Sequence, residues 1–336
     1  MLIDLRSDTV TKPVTLMKEV MMEAEVGDDV FQDDPTIEQL EKKAAAMFGM
    51  EAALFCPSGT MTNQLAIRIH CLPGSEVICD KYSHIYQYEG GGIGLNALSS
   101  VKLLDGNRGR ITAEQVKESI NNPEDIHKPV SRLVSVENTM NKGGGSIYNF
   151  HDFIEIREIC DHHGLKLHLD GARLFNALVE TVETPGDYGK IFDTISICLS
   201  KGLGCPVGSL LLGSHEDIHR ARRFRKVMGG GWRQAGFLAA AGIYALDHHI
   251  ERLKEDHQRA AKIGRIFSDK DYVKSIYPIE SNIVIIELAH NKPATDFVNE
   301  MARKDILCVP FGKHLVRFVT HLDFTDKMLK ELENKV

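Results

Sequence analysis

The chain lacks most features that mark membrane, secreted or nucleic-acid-binding proteins. Among its 336 residues no run approaches the roughly 18 apolar positions of a membrane-spanning helix. Its seven cysteines (Cys56, Cys71, Cys79, Cys160, Cys198, Cys205 and Cys308) are odd in number and scattered, with no CxxC pair. Several lie inside apolar runs, so buried free thiols in a reducing compartment are expected rather than a disulfide framework. Positive charge is not in excess. A net charge of −7 argues against nucleic acid or an anionic membrane as the main partner. The basic run Arg220-Ala221-Arg222-Arg223-Phe224-Arg225-Lys226 is a local exception, read as a solvated helix face or an intersubunit anion site. Charges interrupt Met1-Leu2-Ile3-Asp4-Leu5-Arg6 at once, so no signal peptide is expected there. Internal repeats and low-complexity segments are missing too. These absences together point to a cytoplasmic globular protein.

What is present is a regular alternation. From about residue 36 to 245, helical patterns alternate with short apolar runs, which predicts a mostly parallel sheet sandwiched by crossover helices. The spacing predicts helices over 36–48 and 150–163, each followed by a glycine, and strands over 76–79, 101–104, 133–136, 165–169, 194–199 and 209–212. Their continuous apolar character implies burial on both faces. After residue 245 the texture changes to a long polar helix (249–267), strands at 281–288 and 315–319, and helices at 294–303 and from 326. The length exceeds one ordinary core. A large α/β domain (1–245) and a smaller α+β C-terminal domain (246–336) are therefore expected, with residues 1–30 as an N-terminal arm.

Chemistry concentrates at the ends of two of these strands. The run Ser196-Ile197-Cys198-Leu199-Ser200 delivers Lys201 into a glycine-punctuated loop, and Leu165-Lys166-Leu167-His168-Leu169 ends in Asp170-Gly171-Ala172-Arg173. A lysine desolvated at a strand end has a lowered pKa and favours Schiff-base chemistry. A neighbouring acid offers a counter-charge for a pyridinium nitrogen, so the pair suits pyridoxal 5'-phosphate (PLP). Pro57-Ser58-Gly59-Thr60 precedes an apolar helical pattern. It can seat a phosphate at the helix N-terminus, or be ordinary capping by Ser58 or Thr60. His84 stands among aromatics after a strand and could stack on a flat cofactor or act as a base. His127 is equally open as a base. Arg173 and Arg317 could clamp a carboxylate, and Arg317, inside an apolar strand, is costly unless paired. The pattern His215-Glu216-Asp217-Ile218-His219 matches HExxH but reads as the exposed first turn of a helix, not a zinc site.

Six segments carry a resemblance: Leu5-Arg6-Ser7-Asp8-Thr9-Val10-Thr11, Val26-Gly27-Asp28-Asp29-Val30, Asp170-Gly171-Ala172-Arg173, Leu199-Ser200-Lys201-Gly202-Leu203-Gly204, Gly229-Gly230-Gly231-Trp232-Arg233-Gln234 and Val316-Arg317-Phe318-Val319-Thr320-His321. In order and over nearly the whole chain, they resemble the low-specificity L-threonine aldolases. These are PLP enzymes of the aspartate-aminotransferase fold (fold type I) within the β-eliminating lyase group. The resemblance implies retro-aldol cleavage of L-threonine or L-allo-threonine to glycine and acetaldehyde, by a homotetramer built from dimers. It implies that Lys201 forms the Schiff base, Asp170 faces the ring nitrogen, His84 stacks on the ring, and Gly59, Thr60 and Arg233 bind phosphate. It implies Ser7, Arg173 and Arg317 on the substrate carboxylate, Arg173 also beside the cofactor. Where many relatives read Glu-Asn-Thr-His-Asn, this chain has Glu137-Asn138-Thr139-Met140-Asn141, so a histidine role at 140 is impossible. His84 and His127 stay open as the catalytic base.

Overall fold

The computed structural model describes residues 1–289 and 292–336. Apolar runs buried on both faces form a seven-stranded sheet from β1 (Ala52–Cys56), β2 (Ser75–Asp80), β3 (Ser100–Leu104), β4 (Val130–Glu137), β5 (Lys166–Gly171), β6 (Thr194–Cys198) and β7 (Ser209–Gly213). The spatial order is β1-β7-β6-β5-β4-β2-β3. Strands β6, β5, β4, β2 and β3 run parallel. Strand β7 is antiparallel to both its neighbours.

Helix ends are set locally. Helix Pro35–Phe48 opens with Asp34 Oδ1 accepting from the Ile37 N–H (3.0 Å) and closes at Gly49, whose φ of 62° is a left-handed turn that glycine adopts without strain. The apolar faces of this helix and of Phe150–His163 pack on the sheet through Phe48, Phe153, Tyr188, Leu167 and Ile195, all buried. Each such side chain contributes roughly 1.5–3 kcal/mol on burial.

A second, antiparallel sheet comprises β8 (Val273–Ile276), β9 (Ile283–Leu288), β10 (Val309–Pro310) and β11 (Leu315–Val319), in the order β10-β11-β9-β8. Helices Leu253–Ser268 and Ala294–Arg303 cover it through Ile263, Phe267, Phe297 and Phe318.

The structure departs from the sequence expectations in four places. Strand β1 was not anticipated, because its five residues follow a helix end at once and precede Pro57. Strand β3 is an edge strand with Leu103 38% exposed, so it is not buried on both faces. The helix expected over 249–267 is Leu253–Ser268, starting four residues late because the helix before it, Gly236–His248, ends where His249 turns its Nδ1 to within 2.7 Å of the Leu203 carbonyl. That preceding helix runs across the expected domain boundary at residue 245. The segment expected as an arm is integrated at its start: Ile3 and Leu5 are fully buried in the second core, and Ile3–Asp4 pairs in parallel with Ile306–Leu307.

Candidate functional site

The C-terminal ends of β4, β5 and β6 bring Glu137, Asp170 and the Lys201 loop to one edge of the sheet, where α/β folds hold their ligands. Asp170 is buried. Its Oδ2 accepts from Asn63 Nδ2 (2.9 Å) and its Oδ1 from the Ala172 N–H (3.1 Å). A buried carboxylate so held is rigid and still has acceptor capacity to spare.

His84 sits beside it. Its N–H donates to Glu137 Oε2 (2.8 Å) and its Nδ1 lies 2.9 Å from Glu89 Oε1. Ligand atoms of His84, Glu89 and Asp170 all lie within 4.8 Å of one another. Burial alone would lower the pKa of His84, but the hydrogen bond to Glu89 and the charges of Asp170 and Glu137 outweigh it, and the imidazole is raised. Burial, then the charge of Asp170, pushes Glu137 up to about 7, although it accepts N–H groups from both His84 and Asn141.

Helix Gly59–His70 points its N-terminus toward this edge. Ser58 Oγ accepts from the Met61 N–H (3.2 Å), so the capping reading holds. The N–H groups of Gly59 and Thr60 nevertheless find no acceptor among the described residues and can receive an anion. Gly59 is packed tightly: a Cβ there would lie 2.5 Å from Cys198 Sγ.

A cavity of about 390 Å³ is lined by His84, Lys201, Arg173 and Arg317, with Ser7 and Tyr88 at its walls. The two arginines differ. Arg173 makes a bidentate pair with buried Asp8, Nε and Nη2 each at 2.7 Å. Two of its nitrogens are therefore committed within the chain rather than free for substrate. Arg317 donates to neutral oxygens, Asn141 Oδ1 (2.7 Å) and the Arg6 carbonyl (2.9 Å). Its Nε is buried with no partner, and no carboxylate pairs with it among the described residues. Burial, reinforced by the charge of Arg173, lowers it to about 10. Ser7 Oγ accepts from the Thr9 N–H (3.2 Å) and hydroxyl (2.8 Å), capping a short turn at the cavity wall.

Two expected residues lie elsewhere in the single chain. The His127 side chain is 87% exposed, its Nδ1 3.0 Å from Asp125. Arg233 is exposed and pairs with Asp28 (2.7 Å). His215 and His219 lie exposed on helix His215–Val227. They border a larger cavity, about 650 Å³, whose half-buried Glu41 and Arg222 already pair with each other. Sequence reasoning missed Asp8, Asn63, Glu89 and Asn141. Each acts through a fold contact, and only the placement of Glu89 five residues after His84 was visible as a local hint.

Residues 4–290 match the family model described as beta-eliminating lyase. The chain is 40% identical to the low specificity L-threonine aldolase of Escherichia coli (strain K12) over 332 residues, covering 98% of this chain and 97% of the other. It is 37% identical to the probable low-specificity L-threonine aldolase 2 of Arabidopsis thaliana, over 96% and 93% of the two chains. A solved threonine aldolase from Leishmania major superposes with a TM-score of 0.85 at 20% identity, covering 99% of this chain and 98% of that one. That likeness agrees with the expected fold, the α/β aspartate-aminotransferase type with a mostly parallel sheet. A match of this extent, on a chain whose sheet edge gathers a lysine, a buried acid and an unpaired arginine, settles the relationship: the chain belongs to the beta-eliminating lyase family.

Proposed function

We propose that this chain is a PLP-dependent L-threonine aldolase, cleaving L-threonine and L-allo-threonine to glycine and acetaldehyde. The observation that carries this reading is that Lys201 and the unpaired guanidinium of Arg317 line one cavity beside buried Asp170. The relatives named above are threonine aldolases over nearly their whole length, which supports the same substrate here.

The residues present fit the cofactor. Unpartnered N–H groups at Gly59 and Thr60 suit its phosphate, the spare acceptor capacity of Asp170 suits a protonated ring nitrogen, and the flat His84 imidazole suits stacking. Lys201 would hold it covalently. Bound there, the group supplies an electron sink for the pair released when the Cα–Cβ bond breaks.

The chain's own residues do the rest. Arg317 holds the substrate carboxylate through the Nη N–H groups that Asn141 and the Arg6 carbonyl leave free, with the Ser7 hydroxyl at the same wall, and so fixes the orientation of the Cα substituents. Arg173, locked on Asp8, shapes that wall and adds positive potential. Asp170, held by Asn63 and the Ala172 N–H, would face the ring nitrogen. His84 takes the β-hydroxyl proton as acetaldehyde departs. His127 has no contact with the cavity in one chain, so His84 is the base this geometry favours.

Assembly as a homotetramer of dimers in the cytoplasm belongs to the same reading. Exposed apolar side chains such as Phe31 (76%) and Val227 (79%) support an assembly, and exposed Arg233 is available to a partner's phosphate site. Seven buried free cysteines support a reducing compartment. The division into domains 1–245 and 246–336 is supported by the two separate sheets, each with its own core.

The test is Lys201→Ala. Threonine cleavage should fall on the order of 10³-fold or more, with loss of the lysine-bound cofactor's visible band. A variant that kept both would sink the reading. Pyruvate and ammonia from serine, with no glycine from threonine, would instead mark a β-eliminating activity.

A further inference from the structure

Glu89 has no part in the scheme above, yet three side chains hold its carboxylate beside the cavity. Its side chain is fully buried. Oε2 accepts from Gln64 Nε2 (2.6 Å), and Oε1 accepts from Asn63 Nδ2 (2.9 Å) while standing 2.9 Å from His84 Nδ1. Both amides belong to helix Gly59–His70, the helix that presents Gly59 and Thr60.

The orientation of Asn63 follows from its neighbours. Its Nδ2 serves Glu89 and also Asp170 Oδ2 (2.9 Å). Turned the other way, the amide would set its oxygen against two buried carboxylates, at a cost no neighbour offsets. Asn63 Oδ1 therefore faces His168 Nε2 at 3.1 Å and accepts its proton. Burial lowers His168 to about 4, so it is neutral and carries that single proton on Nε2. One amide thus braces two like charges and fixes the position of each.

Glu89, so held, offers an acceptor to His84 Nδ1 and has nothing to donate. Nδ1 must then carry the proton. The remaining ring nitrogen, Nε2, has no partner among the described residues, and His84 lines the cavity. We propose that Glu89 is a positioning residue that holds the Nδ1–H of His84, making Nε2 the atom that receives the substrate's β-hydroxyl proton. This rests on the aldolase reading and names the proton carrier within it. Other charged or titratable groups near the ring are Glu137 from the end of β4, Asp170 from the end of β5, Tyr88 from its own segment, and Lys142 and Lys201 lining the same cavity. Among the groups that raise His84, Glu89 acts most strongly.

The test compares kcat/KM for L-threonine across pH 5.5–9 in holoenzyme of wild type, Glu89→Gln and Glu89→Asp. Removing the charge should move the acid limb to lower pH, raising the ratio of rates at pH 6 and pH 8 by about threefold or more. Glu89→Asp, which keeps the charge, should restore the limb toward wild type. A Glu89→Gln limb that coincides with wild type overturns the proposal. Nitrogen-15 NMR of the wild-type full chain decides the matter independently, even where the variant fails to fold. Neutral His84 should carry its proton on Nδ1, and a proton found on Nε2 overturns the proposal. Because the NMR readout needs no turnover, a wild type that fails to cleave threonine would sink the aldolase reading and still leave the Glu89–His84 contact open to test.

Discussion

Two walls of one cavity are built on opposite electrostatic plans. On the wall from the seven-stranded sheet every buried charge has a partner: Arg173 grips Asp8, Asn63 braces Asp170 and Glu89, and Glu137 takes two N–H groups. On the wall from the four-stranded sheet, Arg317 stacks near the Phe311 ring, donates among the described residues to neutral oxygens alone, and has a buried Nε–H with no acceptor. Burial pulls on both arginines. Asp8 reverses its effect on Arg173, whereas Arg317 stays lowered. The same residue type in the same cavity is thus a structural pin in one place and an anion receptor in the other. A desolvated charge left unpaired is costly in the empty protein, and that cost is returned when a carboxylate arrives.

The largest expected effect comes from breaking the pinned side. Asp8→Asn leaves Arg173 as an uncompensated buried charge and should lower stability by about 3–5 kcal/mol, read by urea unfolding. Burial raises the Asp8 carboxyl, but Arg173 and the charge of Lys201 outweigh it and hold it far below the usual range. Its contribution is therefore fully present above about pH 4 and is lost as the pH falls below that. The variant should lose that acid limb of the stability curve. Next comes Arg317→Leu, which should cut kcat/KM for threonine by about 10²–10³-fold while Tm holds or rises. A Tm loss rivalling that of Asp8→Asn would erase the contrast between the walls.

A smaller effect should sharpen the first wall. Glu137, raised to about 7 by burial and by Asp170, keeps its proton in the fold at pH values where the unfolded chain has lost it. Wild-type stability should therefore decline as pH rises from about 4.5 to 7, and Glu137→Gln should flatten that slope in a Tm-versus-pH series. The smallest effect lies outside both walls. Arg233→Ala removes an exposed pair with Asp28 and should leave the Tm of the chain unchanged, since screened surface pairs contribute little. Any loss it causes should show in cofactor retention instead.

Legibility in the sequence followed the reach of each interaction. Strands β2, β4, β5 and β6 were readable because burial on both faces leaves a continuous apolar run. The antiparallel direction of β7 was not, since an apolar run carries no sign. Lys201, Asp170 and Arg317 stood out because each interrupts or ends such a run with a charge. Asp8 gave no comparable signal: its partner Arg173 lies 165 positions away, and both arginines of the expected clamp look alike until the fold assigns the carboxylate to one. His84 was visible, whereas Glu89 gave no hint beyond its spacing from His84, because a buried acid in a turn has the same local texture as a solvated one. What sequence pattern reports is burial. What it omits is pairing.

The pairing of Ile3–Asp4 with Ile306–Leu307, and the bond from Arg317 to the Arg6 carbonyl across 311 positions, has a consequence for how the protein is made. A ribosome releases residues 3–8 well before residues 306–317. Residues 3–8 must therefore stay unpaired while some 300 residues are added, with Ile3 and Leu5 uncovered until their partners emerge. The seven-stranded sheet can assemble before then, but the carboxylate-facing wall closes only once Arg317 has emerged, so a nascent chain stalled before it would have the lysine and lack the grip that gives it a substrate.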